Sequence, residues 1–362
     1  MKKLACIMLT LAVMVSMFAG CTKTEAPEDN TNGQTQQEEQ PPSDSTEENG
    51  QDGETADKSE KVLINVALLK GPTAMGAAAL MNESENGFVF GNYSFEVYNT
   101  PDEVTAKIIN GDVSVAAVPV NLASALYNKT EGEVLIAAVN TLGNLYIVEN
   151  GSSVSSLADL SGKTVVMAGQ GAVPEYVMEF ILSKAGITDT TLSFVSSHSD
   201  AVAAIVSGDA DIALLPEPFA TAAMKKVSGL NIAIDVAEIW DEYSYEEKGV
   251  ANTLPMGCIV VRKDFLDEYE KEFSKFLDEY DYFIDVTNDE EEIDAVSEYI
   301  VTYGIVDDKE IASESIPRCN IIFIDGSKML RLVDNFLSTM YEFNPKSVGG
   351  AIPEEDFYYI RN

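Results

Sequence analysis

The chain has 362 residues and a formal net charge of -37 at neutral pH, with 23 lysines and arginines against 60 acids. Binding to nucleic acid needs Lys and Arg clustered against phosphates, so this balance excludes it. It suits a secreted protein kept soluble by its charge.

The N-terminus begins with Lys2 and Lys3, followed by the uncharged apolar residues 4–18 and then Ala19-Gly20-Cys21. A positive start, an apolar middle and small residues before a cut make residues 1–20 a secretory signal. The apolar run is shorter than the roughly 20 residues a membrane-spanning helix takes. Cys21 directly after Ala-Gly resembles the lipobox of bacterial lipoproteins, with Phe18 where that motif more often has Leu. The resemblance implies cleavage before Cys21 and acylation of its thiol and new amino group. Two acyl chains suffice for stable anchoring. The expected location is therefore the extracytoplasmic face of the cell membrane, held by the lipid alone. Residues 21–61 are rich in Thr, Glu, Gln, Asp, Ser, Asn, Gly and Pro. Such a segment buries too little to offset its chain entropy, and it is expected to be a disordered acidic tether.

Residues 62–69 predict a strand ending in Lys70-Gly71-Pro72-Thr73, followed by a helix over 74–81 and a strand over 93–98. Ile108-Ile109-Asn110-Gly111-Asp112 then runs into an apolar strand ending at Pro119. The pattern returns 97 residues later, where Ile205-Val206-Ser207-Gly208-Asp209 runs into a strand ending at Pro216. Gly is the usual helix terminator, and strands without polar alternation are buried on both faces. Upstream of the second copy lie a strand over 164–168, the turn Gly169-Gln170-Gly171, a helix over 174–184 and a strand over 191–195. Each half therefore reads strand, Gly turn, helix, strand, helix, strand, which predicts an α/β fold with a parallel sheet in each half. A period of this length is too long for a solenoid.

Two such halves predict two lobes. Residues 62–147 form the first part of lobe one and residues 148–254 form lobe two. Residues 255–362 complete lobe one and add helices over 264–286, 290–303 and 327–341. The outward crossing is read at 145–149 and the returning strand at 255–261.

Ligands of open α/β sheets bind beyond the carboxyl ends of strands. That rule selects Gly71-Pro72-Thr73, Pro119-Val120-Asn121, Gln170-Gly171-Ala172 and Pro216-Glu217-Pro218, with Asn140-Thr141 as a fifth loop. Gly71 and Gly171 allow close backbone approach, and the helices after them offer free N–H groups. Thr73, Asn121, Asn140 and Gln170 can donate and accept; Thr73 and Asn121 serve equally well as helix caps. Glu217 fits either a helix dipole or an amine or amidine ligand. Its repeat counterpart is Val120, so the repeat itself does not require an acid, and the ligand role is favoured. The arginines are Arg262, Arg318, Arg331 and Arg361, none in these loops, where only Lys70 is cationic. Arg is the usual bidentate binder of anions, so a neutral or weakly cationic ligand is expected. Tyr127, Tyr146, Tyr176 and Trp240 are stacking candidates.

His198, the single histidine, is read as a loop residue beside a helix cap. No Cys/His spacing predicts a metal site, and no nucleophile–base–orienter set predicts an enzyme. No cofactor is expected. Cys6 leaves with the signal, so Cys258 and Cys319 are either a disulfide, which export permits, or two buried thiols.

The run Gly208-Asp209-Ala210-Asp211-Ile212-Ala213-Leu214-Leu215-Pro216-Glu217-Pro218, together with Ser156-Leu157-Ala158-Asp159-Leu160-Ser161-Gly162-Lys163, resembles the solute-binding proteins of ABC importers. The nearest branch is the one serving nitrate, sulfonates, taurine and thiamine precursors. The resemblance covers residues 62–362. It implies a two-lobed type II periplasmic-binding fold with a hinge and a ligand in the interlobe cleft. It also implies a monomer that hands a small molecule to an importer permease. The candidate solutes are a heterocycle such as a thiamine pyrimidine precursor, or a sulfonate. The alternatives on this fold are a sensory receptor, or a thiamine-pyrimidine enzyme with an active-site histidine and a cysteine-rich motif; this chain has one histidine in a turn and no such cluster.

Overall fold

Two mixed β-sheets organise residues 61–248 and 253–361, which are the residues described by this computed structural model. The signal, Cys21 and nearly all of the tether lie outside them. The first stretch runs β1 (Ile64–Leu69), α1 (Pro72–Met75), α2 (Ala78–Glu85), β2 (Tyr93–Tyr98), α3 (Pro101–Asn110), β3 (Val115–Pro119), α4 (Val120–Thr130) and β4 (Val134–Leu142). The second runs β5 (Leu145–Asn150), β6 (Thr164–Met167), α5 (Val173–Lys184), β7 (Thr191–Phe194), α6 (His198–Ser207), β8 (Ile212–Pro216), α7 (Phe219–Lys226), β9 (Leu230–Asp235) and α8 (Val236–Lys248). The chain then returns through β10 (Pro255–Arg262), α9 (Lys263–Asn288), α10 (Ile293–Thr302), α11 (Lys309–Ser315), β11 (Ile321–Asp325) and α12 (Gly326–Phe343).

The strand orders are β11-β4-β10-β3-β1-β2 and β7-β6-β8-β5-β9. The expected parallel triplets are present, β2-β1-β3 in one sheet and β7-β6-β8 in the other. Neither sheet is wholly parallel, because β10 lies antiparallel between β3 and β4, and β5 lies antiparallel between β8 and β9. The crossing strands cause this. Gly143 and Asn144 alone separate β4 from β5, so the chain passes directly from the first sheet into the second. The second sheet therefore begins at Leu145, and the expected boundary at 147/148 falls inside β5. The 97-residue relationship also extends further than the motif that revealed it, since β4 and β9 occupy matching places.

Both Gly-Asp stops work as read. Gly111 and Gly208 take the left-handed conformation, with φ of 80° and 78°, at the ends of α3 and α6. The helix expected over 74–81 is instead broken into α1 and α2. A Cβ at Gly76 would lie 2.7 Å from Ile284 Cδ1 of α9, so the break sits where α9 leaves no room for a side chain.

The C-terminal helices brace both lobes. Phe276, Leu277 and Tyr280 of α9 are buried where it packs on α2 and β11. Trp240 of α8 is fully buried, with its ring centroid 4.8 Å from Phe180 of α5 and 5.7 Å from Phe336 of α12. Trp240 is thus a packing residue rather than a stacking surface for a ligand. Tyr127 is likewise occupied, with its ring against Phe357 and its hydroxyl donating to Asp356.

Cys258 and Cys319 are free, buried thiols, which corrects the disulfide alternative. The Cys258 thiol donates to the Val118 carbonyl at 3.4 Å, and the Cys319 sulfur lies 3.8 Å from Met75 Sδ. Each sulfur has its own neighbour, and burial pushes both thiols well above their usual range.

Candidate functional site

Three of the selected residues converge around the returning strand. Asn140 and Thr141 lie near the end of β4, and Thr73 lies in α1, just past the turn that follows β1. All three close on Gly257 of β10. A Cβ there would lie 2.3 Å from Thr141 Oγ1, 2.4 Å from Thr73 Cγ2 and 2.6 Å from Asn140 Oδ1. Gly257 is the residue that lets β10 pass through this cluster.

The Asn140 amide nitrogen donates to the Thr73 carbonyl at 3.3 Å and to the Tyr280 hydroxyl at 3.0 Å. A carbonyl can only accept, so the atom facing it is nitrogen and the amide orientation is fixed. That leaves Asn140 Oδ1, an acceptor, and Thr141 Oγ1 buried without a protein partner. Both side chains are only 1% exposed. Buried polar groups are nearly always paired, so two orphans at the carboxyl end of a strand call for an explanation beyond the protein's own bonds.

Thr73 also acts locally, its hydroxyl donating to the Leu69 carbonyl at 2.8 Å. Gly71 precedes α1 with φ of 125°, a conformation that only glycine takes easily. Pro72 follows at the start of α1. The other lobe-one candidates have different neighbours. Val120 is buried, and the Asn121 amide donates to the Ser347 carbonyl at 3.3 Å. It is the first rung of a ladder, since Ser124 and Asn128 of α4 also donate to the Val348 carbonyl. The ladder ties α4 to the C-terminal segment.

Glu217 is fully buried. Its carboxylate accepts from Arg318 Nε at 2.6 Å, from Thr221 Oγ1 at 2.9 Å and from the Thr221 amide at 3.0 Å. Its own N–H donates to the Asn144 carbonyl in the crossing segment. The Arg318 carbonyl in turn accepts from the Tyr146 hydroxyl at 2.9 Å. The acid therefore joins α7, the crossing segment and the segment leading into β11. The expectation that no arginine reaches these loops is overturned, because Arg318 returns to the fourth loop from 101 positions away. Its positive charge is matched there by Glu217.

Helix starts at this edge are likewise filled from within. The Gly171 amide donates to the Glu175 carboxylate at the start of α5, with Gln170 exposed beside it. At α8 the Ala237 amide donates to Asp235 at 2.9 Å. At α6 the Asp200 amide donates to Ser197 Oγ at 3.1 Å. Lys70, the cation of the first loop, lies 3.7 Å from Asp307. His198 is the first residue of α6, and its ring packs on Phe219 of α7 at 5.2 Å. Its Nδ1 is buried and unpaired, and burial alone lowers its pKa to about 4, so it is neutral at physiological pH.

Gly257, Tyr280 and Arg318 were missed by reading the sequence. Gly257 did carry a signal, as a lone glycine inside an apolar strand. Tyr280 and Arg318 had none, since their partners are distant in sequence. Among the described residues no group of His, Cys, Asp and Glu is placed to hold a metal ion. None of the described helices is long and apolar enough to cross a membrane.

Residues 92–297 match the model of a family described as ABC transporter, phosphonate, periplasmic substrate-binding protein. The chain belongs to this family. The fold agrees. An ABC transporter from Parabacteroides distasonis superposes with a TM-score of 0.68 at 22% identity, covering 83% of this chain and 99% of that one. The periplasmic aliphatic sulphonate binding protein SsuA from Escherichia coli gives 0.62 at 12% identity, covering 83% of this chain and 94% of its own. The alkanesulfonate-binding protein SsuA from Xanthomonas axonopodis pv. citri bound to MOPS gives 0.58 at 11%, over 81% and 94%. No curated protein matches the sequence. Likeness at these identities establishes the fold of this periplasmic substrate-binding protein and leaves its ligand to the chemistry of the site.

Proposed function

We propose that this substrate-binding protein captures a neutral or weakly cationic small molecule carrying N–H or O–H donors, and delivers it to its ABC importer by cleft closure. A heterocycle of the thiamine-pyrimidine-precursor kind is the leading candidate. The observation that carries this reading is the orphan acceptor Asn140 Oδ1 beside the Thr141 hydroxyl. An acceptor needs a donor from the ligand, and the oxygens of a sulfonate or phosphonate dianion cannot donate. The electrostatics point the same way. Glu175, Glu217 and Asp235 already occupy helix starts that could have received an anion, and Arg318 is neutralised by Glu217. Gly71, Pro72, Thr73, Asn140 and Thr141 form the lobe-one side of the proposed site; Gln170 and Gly171 form the opposing side. Glu217 is assigned to holding that side in place. Cys21 is proposed as the lipid anchor, with the acidic segment as its tether and the protein monomeric.

Mass spectrometry of small molecules carried through purification, followed by a thermal-shift screen, tests the ligand class. A true ligand at about 100 times its Kd adds about 2.7 kcal/mol of stability. Stabilisation by amino-heterocycles with no response to alkanesulfonates or phosphonates is the expected result. Tight binding of sulfonates or phosphonates with no response to heterocycles would overturn it. Intact-mass measurement of the membrane-extracted protein tests the anchor, which predicts acylation at Cys21.

A further inference from the structure

On the flank of lobe one, α2, α9 and α10 border a surface groove of about 580 Å³. Phe88 and Tyr282 line it and are 76% and 65% exposed, and Phe90 beside them is 84% exposed. Exposed aromatics scattered singly need no explanation, but a cluster at a groove marks an interaction site. The loop that carries Phe88 and Phe90 is fixed. The Phe90 and Gly91 amides donate to the Glu279 carboxylate at 2.6 and 3.2 Å, and the Tyr93 hydroxyl donates to the same group. The Phe88 amide donates to the Glu83 carbonyl at 2.9 Å. The backbone is thus pinned while the two phenylalanine rings face water, an arrangement that folding alone does not reward.

The rim selects the occupant. Glu83, Asp285, Asp289 and Glu292 line the groove, and no lysine or arginine does. A second copy would bring the same acidic rim and a net charge of -37. The chain's own residues 22–60 carry twelve acids against two lysines, so they are repelled as well. An anionic lipid surface is disfavoured for the same reason. We propose that this groove docks a cationic amphipathic segment of a protein partner, with apolar side chains among Phe88, Phe90 and Tyr282 and basic ones on the acidic rim. Helix-in-groove recognition has this form. The proposal is independent of which solute fills the cleft.

The test uses the full chain and two labelled synthetic peptides, an amphipathic Lys/Leu helix and an oligolysine of equal charge, in fluorescence anisotropy at physiological salt. The amphipathic peptide is expected to bind at least tenfold more tightly than oligolysine. Phe88→Ser/Phe90→Ser should erase that preference, and Asp285→Asn/Asp289→Asn should weaken the amphipathic peptide severalfold, both with unchanged melting temperature. Equal binding of the two peptides, or wild-type binding by both double variants, overturns the proposal. So does a concentration-dependent dimer abolished by the phenylalanine changes, which would make a second copy the occupant. Binding to anionic vesicles that depends on Phe88 and Phe90 would assign the groove to a membrane instead.

Discussion

The carboxylate of Glu217 and the guanidinium of Arg318 meet at 2.6 Å, although 101 positions separate them in the chain. One partner is fully buried and the other has a side chain about one-third exposed. The two ends of the pair should therefore respond differently to removal. Arg318→Met strands a buried carboxylate and is expected to cost about 3 kcal/mol. Glu217→Gln leaves a guanidinium that can turn to water, and is expected to cost about 1 kcal/mol. Urea unfolding of the two variants measures the asymmetry; equal losses would contradict it.

Thr141 separates binding from stability. Its hydroxyl is buried and unpaired, and an unsatisfied polar group costs about 1–3 kcal/mol. Thr141→Val keeps the shape and removes the hydroxyl. The ligand-free protein should gain roughly 1 kcal/mol, while affinity for the ligand falls about tenfold, as one lost hydrogen bond implies. Denaturant melts and ligand titration of the same variant check both halves. A destabilised variant with unchanged affinity would make the residue merely structural.

Gly257 has no room for a side chain, with three atoms of Thr141, Thr73 and Asn140 within 2.6 Å of the place a Cβ would take. Gly257→Ala is expected to cost about 1–3 kcal/mol through overpacking. It should also displace Asn140 and weaken ligand binding. Chemical denaturation and calorimetric titration read the two effects.

His198 makes the stability of the fold depend on pH. Its pKa in the folded protein is about 4, below the ordinary value of 6.5. Between these values the unfolded chain binds the proton and the folded one does not. Stability therefore falls as pH drops from 6.5 toward 4, by an amount on the order of 2 kcal/mol for this group. The comparison of wild type with His198→Phe from pH 7 to 4.5 isolates it. The variant's stability should change less over that range, and parallel curves would refute the assignment.

The free thiols give a simpler check. Cys258 and Cys319 are buried and unbonded. In protein starting after Cys21, thiol reagent without reductant should label neither cysteine in the native state and both after denaturation. No labelling after denaturation would mean a disulfide.

The sequence was informative where a local rule applied. The strand Tyr93–Tyr98 was placed to the residue because its apolar alternation is bounded by turn residues on both sides. The paired Gly-Asp stops revealed two lobes, since only glycine ends a helix cheaply in the left-handed conformation. The strand-end rule alone selected Thr73, Asn140 and Thr141, which the fold brings together around Gly257. Geometry that is set at a distance leaves no such local signal. β11 is a five-residue edge strand whose identity depends on β4 offering an edge. Glu217 looked like a ligand group because its partner lies in a different part of the chain. Asn121 was selected by the same rule as Asn140, yet its amide is held by a carbonyl of the C-terminal segment.

The placement of β10 between β3 and β4 has a consequence in time. Every strand of the second sheet lies between Leu145 and Asp235, in one uninterrupted stretch. The first sheet cannot close until residues 255–262 have been made. During vectorial synthesis or export, the later-numbered lobe can therefore finish first. The earlier-numbered one waits with an open slot, its β3 and β4 edges unpaired and prone to wrong partners. Lobe two is in this sense an insert carried by lobe one, and a chain cut off before residue 255 should leave lobe one unable to form.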